Sequence, residues 1–255
     1  MSEKNNSTHI YEDFESYDEI PASEKYSKPT VFGIIVRVVF YALILLVNCA
    51  LVFRVCMADD PKSVSSPKIN DVLREAYSAD SENFSIKTQT IYDMYTEDGL
   101  FYSTGMFLCE SAEQLQVTLR YNYRTMPDVL ICDDLGLGFD TMEKLSDEER
   151  EKSEYSSVSA SDVKNGEFFA YRLKDDDGNV YELSEKTKIT RFLYVYQTLT
   201  FDGVPEGSSL YLEIYMIRDG VVDYSVPVGS MKVYSKDREL LDYKLSSSEI
   251  KELGK

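Results

Sequence analysis

Residues 190–201 read TRFLYVYQTLTF, twelve positions dense in β-branched and aromatic side chains. Extended, this run puts Arg191, Leu193, Val195 and Leu199 on one face and Phe192, Tyr194 and Tyr196 on the other. The same period of two recurs along the chain. Leu115, Val117, Leu119, Tyr121 and Tyr123 alternate with polar partners, as do Phe169, Tyr171 and Leu173, and Leu210, Leu212, Ile214 and Met216. Turn signals separate such runs. Glu97-Asp98-Gly99 stands between Ile91–Tyr95 and Leu100–Leu108, Asp176-Asp177-Gly178-Asn179 precedes Val180–Leu183, and Arg218-Asp219-Gly220 precedes Val221–Val228. Met231–Tyr234 adds a last short run. About 8–9 strands at short spacing, without helical crossovers, predict a mainly β fold, an antiparallel β-sandwich over residues 83–255.

A different pattern lies upstream. Residues 31–57, VFGIIVRVVFYALILLVNCALVFRVCM, hold only Arg37, Asn48 and Arg54 as strongly polar positions. At ~1.5 Å per residue, the stretch between the arginines covers ~24 Å as a helix, and snorkelling arginines extend it to a bilayer's hydrocarbon thickness. We read it as a single transmembrane helix, with the lipid bilayer as the partner of residues 31–57. A signal peptide fits less well, because the preceding segment is long and acidic, although Cys56-Met57-Ala58 resembles a weak cleavage site. A lipoprotein reading of Leu46-Val47-Asn48-Cys49 fails at Asn48, where a small residue is required. Lys25, Lys28 and Arg37 flank one side and Arg54, Lys62 and Lys68 the other, a near tie in the positive-inside count. The short leading tail tips the expectation toward a cytoplasmic N-terminus and an extracytoplasmic C-terminal domain at the cell membrane.

Residues 1–30 form an acidic tail, expected to be disordered, in which Tyr11, Phe14, Tyr17 and Ile20 recur at spacing three and His9 is the only histidine of the chain. Residues 58–82 read as a linker and a juxtamembrane amphipathic helix. Ser66 is its expected N-cap, Pro67 its first turn, and Ile69, Val72, Leu73, Ala76 and Tyr77 its apolar face. Residues 141–166 are charged and serine-rich, a solvated loop with room for one short helix at Asp147–Lys152. Serine at 246 caps a short C-terminal helix reaching Leu253. The net charge of −18 is concentrated beyond the apolar stretch, which disfavours nucleic acid and anionic lipid as partners.

The sequence assigns no catalytic, cofactor-binding or metal site. Without a histidine beyond the tail, His-based triads and His-containing zinc sites in the domain are excluded. Ser161-Asp-Val-Lys164 and Ser248-Glu-Ile-Lys251 match S-x-x-K, but the companion S-D-N and K-T-G elements are absent. Asp175-Asp176-Asp177-Gly178-Asn179 invites a calcium loop, yet Leu173 and Ser184 stand where an EF-hand needs carboxylates, so a hairpin turn is expected. Cys49 and Cys56 behave as small apolar residues, while Cys109 and Cys132 leave a disulfide open. The tyrosines suit strand packing better than sugar stacking, and there is no tryptophan. The reading is a non-catalytic binding, assembly or sensing module at the cell surface, with a protein partner. A carboxylate-dependent hydrolase of glycosidase type, or a carbohydrate-binding module, is the alternative.

Overall fold

The computed structural model describes residues 30–58, 64, 66–89, 95–205 and 207–255, without the side chains of 54–58 and 143. The chain divides into two compact units at Val55/Cys56. The first is the apolar helix α1 (Val31–Ala58), long and apolar enough over Val31–Phe53 to cross a membrane or to serve as a signal sequence. The expected disorder of the tail falls outside the described residues.

The second unit runs α2 (Asp71–Ala79), β1 (Lys87–Thr88), β2 (Phe101–Cys109), β3 (Gln114–Asn122) and α3 (Met126–Asp134), then α4 (Asp147–Lys152) and α5 (Ala160–Asn165). It continues β4 (Phe169–Asp175), β5 (Val180–Tyr181), β6 (Leu183–Arg191), β7 (Tyr194–Asp202), β8 (Leu210–Arg218), β9 (Val221–Val222), β10 (Gly229–Tyr234), β11 (Leu241–Asp242) and α6 (Ser247–Leu253). The unit is mainly β, and every pairing is antiparallel. One sheet has the order β11-β1-β2-β3-β7-β6, the other β10-β8-β4-β5 with β9 beside β8. Eleven strands stand among the described residues, against 8–9 expected: β1 and β11 are two-residue pieces too short to show a period, and β6 was not read as a strand.

Alternation does what the sequence requires of it. Leu115, Val117, Leu119, Leu199 and Phe201 of the first sheet join Leu173, Leu212, Ile214 and Val233 of the second in one apolar cluster. Phe101 and Tyr121 meet Phe169 of the other sheet edge-to-face at 5.1 and 5.4 Å, geometry that adds to the burial itself. Tyr171 donates its buried hydroxyl to Gln197 across the same space, so that polar group is satisfied.

Four expectations are corrected. The run 190–201 is a hairpin and not one strand: Phe192 takes a left-handed backbone at φ 50°, and β6 returns beside β7 from Arg191↔Tyr194 to Leu183↔Phe201. β6 reads LSEKTKITR, too polar to announce itself. The juxtamembrane helix begins four residues late, at Asp71, where the Asn70 side chain accepts from Leu73 N at 3.1 Å in place of the Ser66 cap. The segment 141–166 is a chain of short helical turns, with Asp147–Lys152 among them, and buries Tyr155 and Val163 in the core. Strands β3 and β4 are therefore separated by helical structure, including α3, whose Met126, Val129, Leu130 and Ile131 are buried. The run Val221–Val228 keeps only two paired residues, and Ile91–Tyr95 lies mostly outside the described residues.

Truncating the ring at the crossing of the sheets, Phe169→Ala, is expected to lower unfolding free energy by about 3–5 kcal/mol, because its three-way aromatic contact cannot close over the gap. Urea titration of the full chain in detergent, followed by near-ultraviolet circular dichroism of the tyrosines, checks this.

Candidate interaction surfaces

β3 and β7 are buried on both faces. Opposite the apolar cluster lie Gln114, Gln116, Thr118, Thr198 and Thr200, all buried. Such a row is stable only if every amide and hydroxyl has a partner. Gln116 Oε1 accepts from Lys68 N at 2.7 Å while its Nε2 donates to Lys68 O at 2.8 Å and to Gln114 Oε1 at 2.9 Å. One side-chain amide thus imitates a neighbouring strand and holds the segment before α2 against the sheet. Gln114 adds a bond from Asn70 Nδ2 at 3.2 Å and gives its own N–H to Asp202 at 2.7 Å. Val64 and Pro67 are buried along the same segment, and Thr118 meets Thr198 hydroxyl to hydroxyl at 3.2 Å. Beside them Leu73 of α2, Leu253 of α6, Ile86, Phe107 and Cys109 form a second apolar cluster.

A groove of about 770 Å³ opens where three distant segments meet. Glu97, Asp98 and Asp140 line it together with Phe139, Met142 and Val228, and among the described residues no lysine or arginine lines it. The turn before β2 is closed by hydrogen bonds. Asp98 Oδ1 accepts from Thr96 Oγ1 at 2.5 Å and from Leu100 N at 3.0 Å, and Thr96 Oγ1 in turn accepts from Phe101 N at 3.1 Å. On the other wall, Gly229 leaves no room for a side chain, since a Cβ there would stand 2.5 Å from Thr96 Cγ2. The groove's shape therefore rests on a glycine and a hydrogen-bonded threonine.

The sequence nominated no site residues, and neither feature carries a motif. Gln114 and Gln116 look like ordinary polar alternates in a strand, and the groove draws on residues 97, 140 and 228, which share no pattern. The one signal present was the Glu97-Asp98-Gly99 turn. The aspartate run at 175–179 is a closed hairpin turn: Asp175 accepts from Asp177 N, Asn179 N, Asn179 Nδ2 and Tyr181 OH at 2.8–3.0 Å. Among the described residues no group of three or more His, Cys, Asp or Glu is placed to hold a metal. Cys109 and Cys132 are free, buried thiols, and burial pushes both above their ordinary value.

Carboxylates and tyrosines move in opposite directions. Hydrogen bonds from Asn179, Asn179 N, Tyr181 and Asp177 N hold Asp175 below the usual carboxylate range, and bonds from serine caps do the same for Glu149 and Asp162. Burial pushes Tyr171 and Tyr121 well up, and Tyr181 to about 12. No protein-family model, curated protein or solved structure matches this chain.

Replacing the strand-mimicking amide, Gln116→Leu, leaves Lys68 N–H and C=O without their partner, at a cost of about 1–3 kcal/mol, and frees the segment. Faster tryptic cleavage after Lys68, seen by mass spectrometry, is the expected result. Melting temperature against pH should show a plateau with two flanks. Depressed carboxylates stabilise the fold above the usual carboxylate range and lose that contribution as pH falls through it. Raised tyrosines stabilise it below about pH 10 and lose that contribution as pH rises further. Differential scanning calorimetry from about pH 3 to 11 measures both flanks.

Proposed function

We propose that this chain is a single-pass membrane protein whose 83–255 domain is an antiparallel β-sandwich on the extracytoplasmic side, binding a protein partner without catalysing a reaction. The observation that supports it most is the groove between residues 97–98, 139–142 and 227–230, where three carboxylates and three large apolar side chains come together without a cation among the described residues. Such a lining suits a lysine- or arginine-bearing segment with one apolar anchor, whose charge is met at the carboxylates and whose anchor leaves water against Phe139 and Met142. Asp98 already accepts two hydrogen bonds from its own turn, which suits a fixed acceptor better than the proton donor a glycosidase needs. The membrane reading is supported by α1 itself. Its large apolar side chains from Val31 to Phe53 are all exposed, an arrangement that water would not tolerate and hydrocarbon would.

The test is a crosslinking pulldown from cells carrying the full-length chain, with Glu97→Lys and Asp140→Lys combined as the variant. Capture of the partner should fall at least about tenfold while the circular dichroism spectrum is unchanged. Undiminished capture sinks the groove as the binding site. Protease added to intact cells should remove the domain and spare the tail, and protection of the domain would reverse the orientation.

A further inference from the structure

We infer that α1 pairs with α1 of a second copy of this chain, with Asn48 at the contact. The inference rests on reading Val31–Phe53 as a membrane span. Between Val38 and Phe53 the side chains are hydrocarbon except for Tyr41, Asn48 and Cys49. Asn48 Nδ2 donates to Ile44 O at 2.9 Å, which occupies one N–H of an amide that has two, along with a carbonyl oxygen able to accept twice. Among the described residues the second N–H and the Oδ1 have no partner. Lipid tails can offer none, and an unmet amide in hydrocarbon is strongly unfavourable.

An asparagine is its own complement. In a two-fold pair, the N–H of one copy meets the Oδ1 of the other and the reverse bond forms by symmetry, so a second copy satisfies both groups at once. The sequence around it places the rest of the seam. Ile34, Val38, Tyr41, Leu45, Asn48 and Val52 follow at alternating spacings of four and three, the repeat that lets two helices stay in register as a left-handed pair. All six are exposed on α1, so nothing in the described chain covers the stripe. A single asparagine in such a seam fixes which copies face each other, because any shift strands the amide against leucine or valine. Tyr41, one heptad away, keeps its ring on the same stripe.

The experiment uses the full chain in its membrane. Alkaline carbonate extraction comes first, and release of the protein would overturn the span reading and this inference with it. In a retained chain carrying Cys49→Ala and Cys56→Ala, single cysteines are then placed in turn at positions 38–52 and oxidised in vesicles. Disulfide-linked dimer should peak at 38, 41, 45 and 52 and dip at 43, 46 and 50. Asn48→Leu, which makes the helix more apolar and cannot expel it, should weaken self-association by about tenfold in energy-transfer titrations in detergent micelles. A retained protein that gives no dimer, a flat cysteine profile, an unchanged titration for Asn48→Leu, or crosslinks through this stripe to a different protein would each overturn the pairing while leaving the span intact.

Discussion

Burial of β3 and β7 on both faces is the constraint from which the arrangement of the domain follows. The face toward the other sheet is solved by hydrocarbon, with Leu115, Val117, Leu119, Leu199 and Phe201. The opposite face carries amides and hydroxyls, and their desolvation must be offset bond by bond. That requirement selects what can lie over the sheet. A strap from Lys68 to Asn70 supplies main-chain groups to Gln116 and a side-chain amide to Gln114, and α2 follows as the strap's continuation. Farther along β3, Arg120 stacks between the rings of Tyr102 and Tyr194 at 4.8 and 4.7 Å, so the row ends in a cation held by two aromatic faces. The polar row thus fixes register as well as burial, since a slip of one residue would put glutamines into the apolar cluster.

The second sheet handles its outer face differently. Arg172 lies 3.4 Å from the centre of the Tyr224 ring, and Tyr224 packs edge-to-face on Tyr215 at 5.0 Å. Glu213 gathers Lys174 at 2.7 Å and the Tyr215 hydroxyl. Edge strand β6 is guarded by charge: Lys186 turns to Glu167 and Lys188 donates to Gly166 O at 2.6 Å, while a bulge interrupts pairing between Leu183 and Glu185. Lysines turned inward and a bulge are how sheets resist adding a foreign strand. The proposed partner would therefore be better received in a concave groove than along this edge.

Which parts of this were legible follows from what each element buries. β3, β4 and β8 could be read because they put large apolar residues inward at every second position and polar ones between. β6 escaped because its inward positions include Lys186 and Lys188, and its turn uses Phe192 in a left-handed conformation that glycine or asparagine would normally occupy. α3, MPDVLICDD, is buried nearly all round, so it lacks the polar face that a periodicity search needs. Of the turns at 146–165 only Asp147–Lys152 was expected as a helix; the capping boxes Ser146 with Glu149 and Ser159 with Asp162 say where each helix starts and not that Val163 of α5 will reach the core. Neither the glutamine strap nor the groove could be foreseen, because each depends on segments brought together only by the completed topology.

Charge ties these observations to binding. The acidic surplus of the chain is not spread evenly among its ion pairs. Arg150 pairs with Asp128, Lys174 with Glu213, Arg218 with Asp133 and Lys236 with Asp176, so much of the positive charge is already committed to neighbours. Each exposed pair contributes only about 0–1 kcal/mol to stability, and the pairs matter more for the field they leave behind. What remains uncompensated is negative, and at the groove it is negative beside exposed hydrocarbon. On the proposed reading, a basic partner would be drawn in by the long-range field at a rate that falls with salt, and then retained by short-range burial that salt does not weaken. In that proposal association and retention would rest on different residues of one groove, the carboxylates Glu97 and Asp140 for the first and the Phe139 and Met142 side chains for the second.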